Sequence, residues 1–207
     1  MLNNFIVFEG LDGSGKSSII HELKSQLSKE HYKILTTYEP DDDFHNAILG
    51  HRKFNNESEM LLYSASRNEH LRNEIVPEKD NFDLIISDRF IDSSLAYQSQ
   101  EQLPMQYILQ VNNHFIKQLN AWPIMTFFID VPPKECLDRI YTKRQNKIDR
   151  LDRQPISYYY QVYQNYKQAL KLTQNDTRNM IINGSHRSIT EIATQIKNIL
   201  KSHHILK

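Results

Sequence analysis

The sequence predicts an α/β fold, a five-stranded parallel sheet flanked by helices in three layers. Three observations carry this expectation. Short apolar runs alternate with longer stretches of helical periodicity, the pattern of a sheet whose strands are buried on both faces. The first run enters a glycine-rich turn and then a helical pattern. Charged motifs follow the first three runs directly, which puts them together at the carboxyl ends of the strands, where such sheets collect ligands.

The expected strands are residues 5–8, 34–37, 84–87, 124–131 and 180–182, all short and apolar. Helices are expected at about 17–28, 57–76, 103–119, 133–141, 155–174 and 188–201. In the first, Ile20, Leu23 and Leu27 keep the spacing of one apolar face; in the last, Ile189, Ile192, Ile196, Ile199 and Leu200 do so. No internal repeat or low-complexity linker divides the chain, and 207 residues suit one domain with a sizeable core.

The turn after the first strand is Gly10-Leu-Asp12-Gly13-Ser14-Gly15-Lys16-Ser17, the Gly-x-x-x-x-Gly-Lys-Ser spacing of a phosphate-cradling P-loop. The chain has five glycines, and three of them fall within the six residues from Gly10 to Gly15, where the backbone must bend sharply and approach a ligand. Successive backbone N–H groups then form an anion nest, and the helix opening near Lys16 adds the positive end of its dipole. Lys16 is placed to reach the β- and γ-phosphates and the Ser17 hydroxyl to ligate Mg²⁺, so ATP or GTP with magnesium is the expected ligand. The motif alone leaves kinase, switch and motor open.

Composition narrows the classes. Lys plus Arg and Asp plus Glu both number 25, so no global field favours nucleic acid or membrane. One cysteine, Cys136, excludes an internal disulfide framework and fits a reducing compartment. No apolar run approaches a membrane span, and the first residues lead into a strand with no signal-peptide pattern. The expectation is a soluble cytoplasmic protein. The nine histidines show no metal-ligand spacing.

Other motifs keep two readings each. Asp88-Arg89 ends the third strand; Asp88 can hold magnesium through water and Arg89 can fork onto an acceptor phosphate, or the two form a strand-end ion pair. Tyr63 and Arg67 share a helix face and could stack on and bond a flat base, although Leu61-Leu62-Tyr63 also reads as plain core packing. Arg139, Lys143, Arg144, Lys147, Arg150 and Arg153 are either a solvated surface or a mobile lid, about 141–153, that closes on phosphates. Tyr158, Tyr159, Tyr160, Tyr163 and Tyr166 read as helix-packing aromatics.

In order along the chain, these motifs resemble the thymidylate kinases, P-loop nucleoside-monophosphate kinases that make dTDP. The resemblance rests on residues 8–17, Glu39-Pro40, Leu-Leu-Tyr-Ser-Ala-Ser-Arg at 61–67, Ser-Asp-Arg-Phe-Ile-Asp-Ser-Ser-Leu-Ala-Tyr-Gln at 87–98, Asp-Val-Pro-Pro at 130–133 and Asp149-Arg-Leu-Asp152. It implies a P-loop NTPase fold with a lid, ATP and dTMP as substrates, Mg²⁺, and a homodimer. Gly10, Asp12, Gly13, Ser14, Gly15, Lys16, Ser17 and Ser18 would surround the donor phosphates. Arg139 and the 183–187 loop would border the adenine. Asp12 would also meet the acceptor sugar hydroxyl, Tyr63 replaces a family Phe that stacks on thymine, and Arg67 would bond the base carbonyl. Arg89 would take the acceptor phosphate and Tyr97 would disfavour a ribose hydroxyl, with Glu39, Ser94 and Gln98 completing the acceptor set. Ser17 and Asp88 are the metal candidates. Gly13 stands where one family type has Arg, and Arg144 and Arg150 are available in the lid, which points to the bacterial type.

The chain departs from the family pattern at Tyr38, where Arg is usual before Glu-Pro, and at Asp41-Asp42-Asp43, where Gly-Gly-Thr is usual. Ser99 replaces a Gly, and the Gly-Leu-x-Pro-Asp turn before Trp122-Pro123 is missing. The acidic triad leaves a related deoxynucleoside or other monophosphate kinase as the alternative acceptor reading. A non-catalytic nucleotide switch is the other, although the chain has no Asn-Lys-x-Asp guanine-reading motif.

Overall fold

A computed structural model describes residues 2–49, 54–143 and 153–206. The strands are β1 (Leu2–Glu9), β2 (Ile34–Tyr38), β3 (Leu84–Asp88), β4 (Pro123–Asp130) and β5 (Arg178–Asn183). Every neighbouring pair is parallel and the order is β2-β3-β1-β4-β5. Successive β1 side chains serve opposite faces, as the strand period requires. Ile6 and Phe8 pack with Leu23, Leu27, Phe127 and Ile196, and Phe5 and Val7 pack with Met60, Phe90, Ile108 and Trp122. Both faces of the sheet are therefore covered, and all four of those β1 side chains are fully buried.

The helices are α1 (Lys16–Lys29), α2 (Asp42–Leu49), α3 (Asn56–His70), α4 (Val76–Glu78), α5 (Ile91–Gln98), α6 (Met105–Gln118), α7 (Pro133–Lys143), α8 (Ile156–Thr173) and α9 (Ile189–Ser202). The stretch expected as one helix at 57–76 is α3, a π-helical turn at Leu71–Ile75 and the short α4. The ladder widens just ahead of Pro77, which has no N–H to offer.

Two helices were not expected. In α2, Asp41 accepts the Phe44 N–H through Oδ1 at 3.0 Å, so the acidic triad caps a helix and supplies its first turn, where negative charge is favoured. In α5, residues Ile91 to Ala96 are all buried, polar ones included, so no one-sided apolar pattern marks the helix in the sequence. Among the described residues no helix is long and apolar enough to cross a membrane.

Register brings the motifs to one end of the sheet. Phe8 and Tyr38 both pair with Asp88, and Asp130 pairs with Asn183. The strand order reverses direction around β1, which places the P-loop at the crevice.

Candidate active site

The helix that follows the P-loop has no side-chain cap at its N-terminus, unlike α3 and α9. Helices α3 and α9 satisfy first-turn N–H groups with side chains, Asn55 to Ser58 and the Ser188–Glu191 capping box. Helix α1 starts from Gly15 at φ +95° with no side-chain cap, so its N-terminus faces the loop as an anion site. Lys16 is buried, and its Nζ donates to the Gly10 and Leu11 carbonyls at 3.0 and 3.1 Å. Burial, and then repulsion from Arg89, lower its pKa.

Gly13 has φ +81°, and a Cβ there would fall on the Cys136 carbonyl of α7 and 3.0 Å from Ile140 Cγ1. The positive φ and these contacts leave no room for a side chain at this position. Gly13→Ala is expected to cost about 1–3 kcal/mol of stability and to raise the KM for ATP, read by thermal melting and steady-state kinetics. Burial pushes the Cys136 thiol up to about 12, which keeps it protonated.

Ser17 at the start of α1 and Asp88 at the end of β3 fit a magnesium ion. Ser17 Oγ donates to Asp88 Oδ2 at 2.5 Å, and the buried Asp88 Oδ1 has no hydrogen-bond partner among the described residues. The described residues hold no cluster of three or more His, Cys, Asp or Glu side chains suited to a metal. A hydroxyl and one carboxylate suit an ion whose remaining ligands are water and phosphate, as magnesium prefers.

Arg89 occupies the left-handed region at φ +80° and is 17% exposed at its side chain. Its Nη2 donates to Asp12 Oδ1 at 2.7 Å, and its guanidinium lies 5.2 Å from the Tyr97 ring. Burial is the largest single influence and opposes its charge, but Asp12, Tyr166, Tyr97 and Asp88 together outweigh it and raise its pKa. Tyr97 donates its hydroxyl to Asp12 Oδ2 at 3.2 Å. A cavity of about 390 Å³ opens here, running from Lys16, Ser17 and Asp88 past Arg89 and Tyr97 to Tyr63, Arg67, Ser94 and Gln98. A second cavity of about 180 Å³ lies over Gly13, Gly15, Ser18 and Arg139. The two share Asp12, Lys16 and Ser17.

At the far end of the larger cavity Arg67 is buried in polar contacts. Nε donates to Glu39 Oε2 at 2.8 Å, Nη1 to Asn112 Oδ1 at 2.6 Å, and Nη2 to Ser94 Oγ at 2.9 Å and the Phe90 carbonyl at 3.1 Å. His70 Nδ1 lies 3.0 Å from Glu39 Oε1. Gln98 Oε1 is buried and has no hydrogen-bond partner among the described residues.

A family model described as "Thymidylate kinase" matches residues 8–196. The chain belongs to the thymidylate kinase family. It is 34% identical over 200 residues to a thymidylate kinase of Geobacillus sp. (strain WCH70), covering 93% of each chain. It is also 34% identical to one from Acholeplasma laidlawii (strain PG-8A), covering 95% of this chain and 98% of that one. The crystal structure of thymidylate kinase from Ehrlichia chaffeensis superposes with a TM-score of 0.72 at 27% identity, over 96% of this chain and 98% of that one.

The two cavities gather residues of the P-loop, Glu39-Pro40, Tyr63 and Arg67, and the 87–98 motif, and three details refine the reading. Tyr63 is half-buried on the cavity wall and Leu61 is 46% exposed, so this stretch of α3 is not plain core packing. Arg139 bridges the Ser14 and Gly184 carbonyls at 3.2 and 3.0 Å and pairs with Glu135, which ties the P-loop to the 183–187 loop. Tyr38 is half-exposed, lines the cavity, and has its pKa raised chiefly by its hydrogen bond to Asp42. Asp42 therefore meets Tyr38 at the cavity mouth. Arg144, Arg150 and most of the 141–153 lid lie outside the described residues.

Sequence reasoning missed Glu9, Ser93, Asn112, His70 and Tyr166. Glu9 ends β1 fully buried; Oε1 accepts the Phe90 and Ser93 N–H groups and Oε2 the Ser93 hydroxyl at 2.6 Å. An acid closing an apolar run just before the glycine turn was its one signal. Burial raises the pKa of Glu9 and, with Glu9 as the next cause, lifts Asp92 to about 7. An acid with a higher pKa folded than unfolded takes up a proton on folding. That stability is fully present below about pH 4 and is lost as pH climbs toward 7. The melting temperature is expected to fall between about pH 4 and 7, and Asp92→Asn to flatten that slope.

Proposed function

We propose that the protein transfers the γ-phosphoryl group of ATP to dTMP, giving ADP and dTDP for dTTP synthesis, with Mg²⁺. The observation that carries this is the meeting of two cavities at Asp12, Lys16 and Ser17, one over the P-loop and one ending at a base-sized wall of Tyr63, Arg67 and Gln98. The family match supports the acceptor.

In this reading the P-loop N–H groups and Lys16 hold the donor phosphates. Ser17 and Asp88 would hold magnesium, which would supply positive charge against the donor phosphates. Arg89 exchanges Asp12 for the acceptor phosphate, and Asp12 turns to the acceptor sugar hydroxyl. The Tyr97 ring bounds the sugar, Tyr63 stacks on thymine, and Arg67 with Ser94 and Gln98 addresses the base edge. The acceptor oxygen is already ionised, so no strong general base is needed; positioning and electrostatics do the work. Arg144 and Arg150 are the candidates for stabilising charge on the transferred group.

The test is dTDP formation from ATP and Mg²⁺ across a panel of nucleoside monophosphates and free nucleosides. The highest kcat/KM is expected with dTMP, and none with thymidine. Efficient use of another acceptor with no dTDP formed would overturn the assignment.

A further inference from the structure

Tyr166 lies on α8 and is fully buried beneath the acceptor cavity. Its hydroxyl lies 3.0 Å from Arg89 Nη1, 2.9 Å from Ser93 Oγ, 3.2 Å from Glu9 Oε2 and 3.2 Å from the Gly10 carbonyl. Its ring stands edge-on to Tyr97 at 5.9 Å and tilts against Phe128 at 5.3 Å. A phenol has one proton and two lone pairs, so these four neighbours constrain its roles. Arg89 can only donate to it. Ser93 gives its own proton to Glu9 at 2.6 Å, which leaves the proton of Tyr166 to be shared among Ser93 Oγ, Glu9 Oε2 and the Gly10 carbonyl. The resulting network runs from Arg89 through Tyr166 and Ser93 and ends on the buried Glu9 carboxyl.

This network grips only one edge of the guanidinium. Nη1 is taken by Tyr166, Ser93 and the Gly10 carbonyl at 3.3 Å, while Nη2 contacts Asp12. We infer that Tyr166 is a positioning residue for the acceptor phosphate: its hydroxyl, backed by Ser93 and Glu9, locks the Nη1 edge of Arg89 so that the Nη2 edge can exchange Asp12 for phosphate without the arm swinging. The inference rests on the reading that Arg89 receives that phosphate. Burial raises the Tyr166 pKa far above the usual tyrosine value, so the hydroxyl keeps its proton across the working range.

Tyr166→Phe keeps the ring and removes the hydroxyl. Tyr163→Phe is the control, since Tyr163 sits one turn away and its hydroxyl bonds Asp130 at 2.7 Å. Removing one hydrogen bond to a charged group is expected to raise the KM and Kd for dTMP about 10-fold in Tyr166→Phe. The KM for ATP should stay within about twofold of wild type, as should all constants of Tyr163→Phe. In an Arg89→Ala background, calorimetric dTMP binding should be weak and indifferent to Tyr166→Phe, because the hydroxyl acts through the lost guanidinium. Unchanged dTMP binding in Tyr166→Phe, or equal rises in both KM values, overturns the inference. Full dTMP binding by Arg89→Ala instead overturns the reading of Arg89.

Discussion

Replacing Lys16 with Met should lower kcat/KM by at least about 10³-fold while leaving the melting temperature unchanged or higher. The activity loss follows from removing the ammonium that lines both cavities. The stability side follows from what Lys16 does in the fold. Its pKa is lowered mainly by burial, so the fold disfavours an ammonium that the unfolded chain carries more comfortably. Methionine of similar length removes that cost. The carbonyls it abandons are not orphaned: Gly10 O still faces Arg89 and Tyr166, and Leu11 O accepts the Ser14 N–H at 3.1 Å. Circular-dichroism melts beside a coupled ADP-release assay separate the two effects. A melting temperature several degrees lower would mean that Lys16 is part of the scaffold rather than a strained functional group.

The parts of this site that could be read in advance are those whose chemistry is local in sequence. The P-loop is a spacing, and Asp88-Arg89 follows an apolar run; both stand where that run implied. Helix α5 was hidden because Asp92, Ser93 and Ser94 are buried on faces that would ordinarily be apolar. Helix α2 was hidden because its acids looked like a charge cluster, although Asp41 is an N-cap. The network behind Arg89 was hidden for another reason. Tyr166 and Glu9 are separated by 157 positions, and neither has a neighbour in sequence that reveals the other. A tyrosine with apolar neighbours is indistinguishable from a packing residue until the fold shows what its hydroxyl meets. The same holds for Asn112, which faces solvent in no view and holds Arg67 from a different helix.

Arg67→Met should do the reverse of Lys16→Met and lower stability by about 3–5 kcal/mol, a fall of about 10 °C in melting temperature. Both substitutions remove a buried cation, but their surroundings differ. Lys16 leans on carbonyls that have other donors, whereas Arg67 neutralises Glu39, with side chains only 2% and 4% exposed. Without the guanidinium, Glu39 keeps only His70 Nδ1 at 3.0 Å, and Asn112 Oδ1 loses its donor. A buried carboxylate stripped of its partner is costlier than the pair was favourable, so the loss reflects the group left behind. Adding Glu39→Gln to Arg67→Met is therefore expected to recover at least about 1 kcal/mol, although it removes another residue of the cavity wall. The double variant should remain unable to bind dTMP, since restoring the fold does not restore the donor at the base end. Recovery of dTMP binding along with stability would show that Arg67 supports the wall without addressing the base. Failure of Glu39→Gln to recover any stability would place the cost in lost packing against Phe90, whose ring lies 5.3 Å from the guanidinium, rather than in the stranded charge.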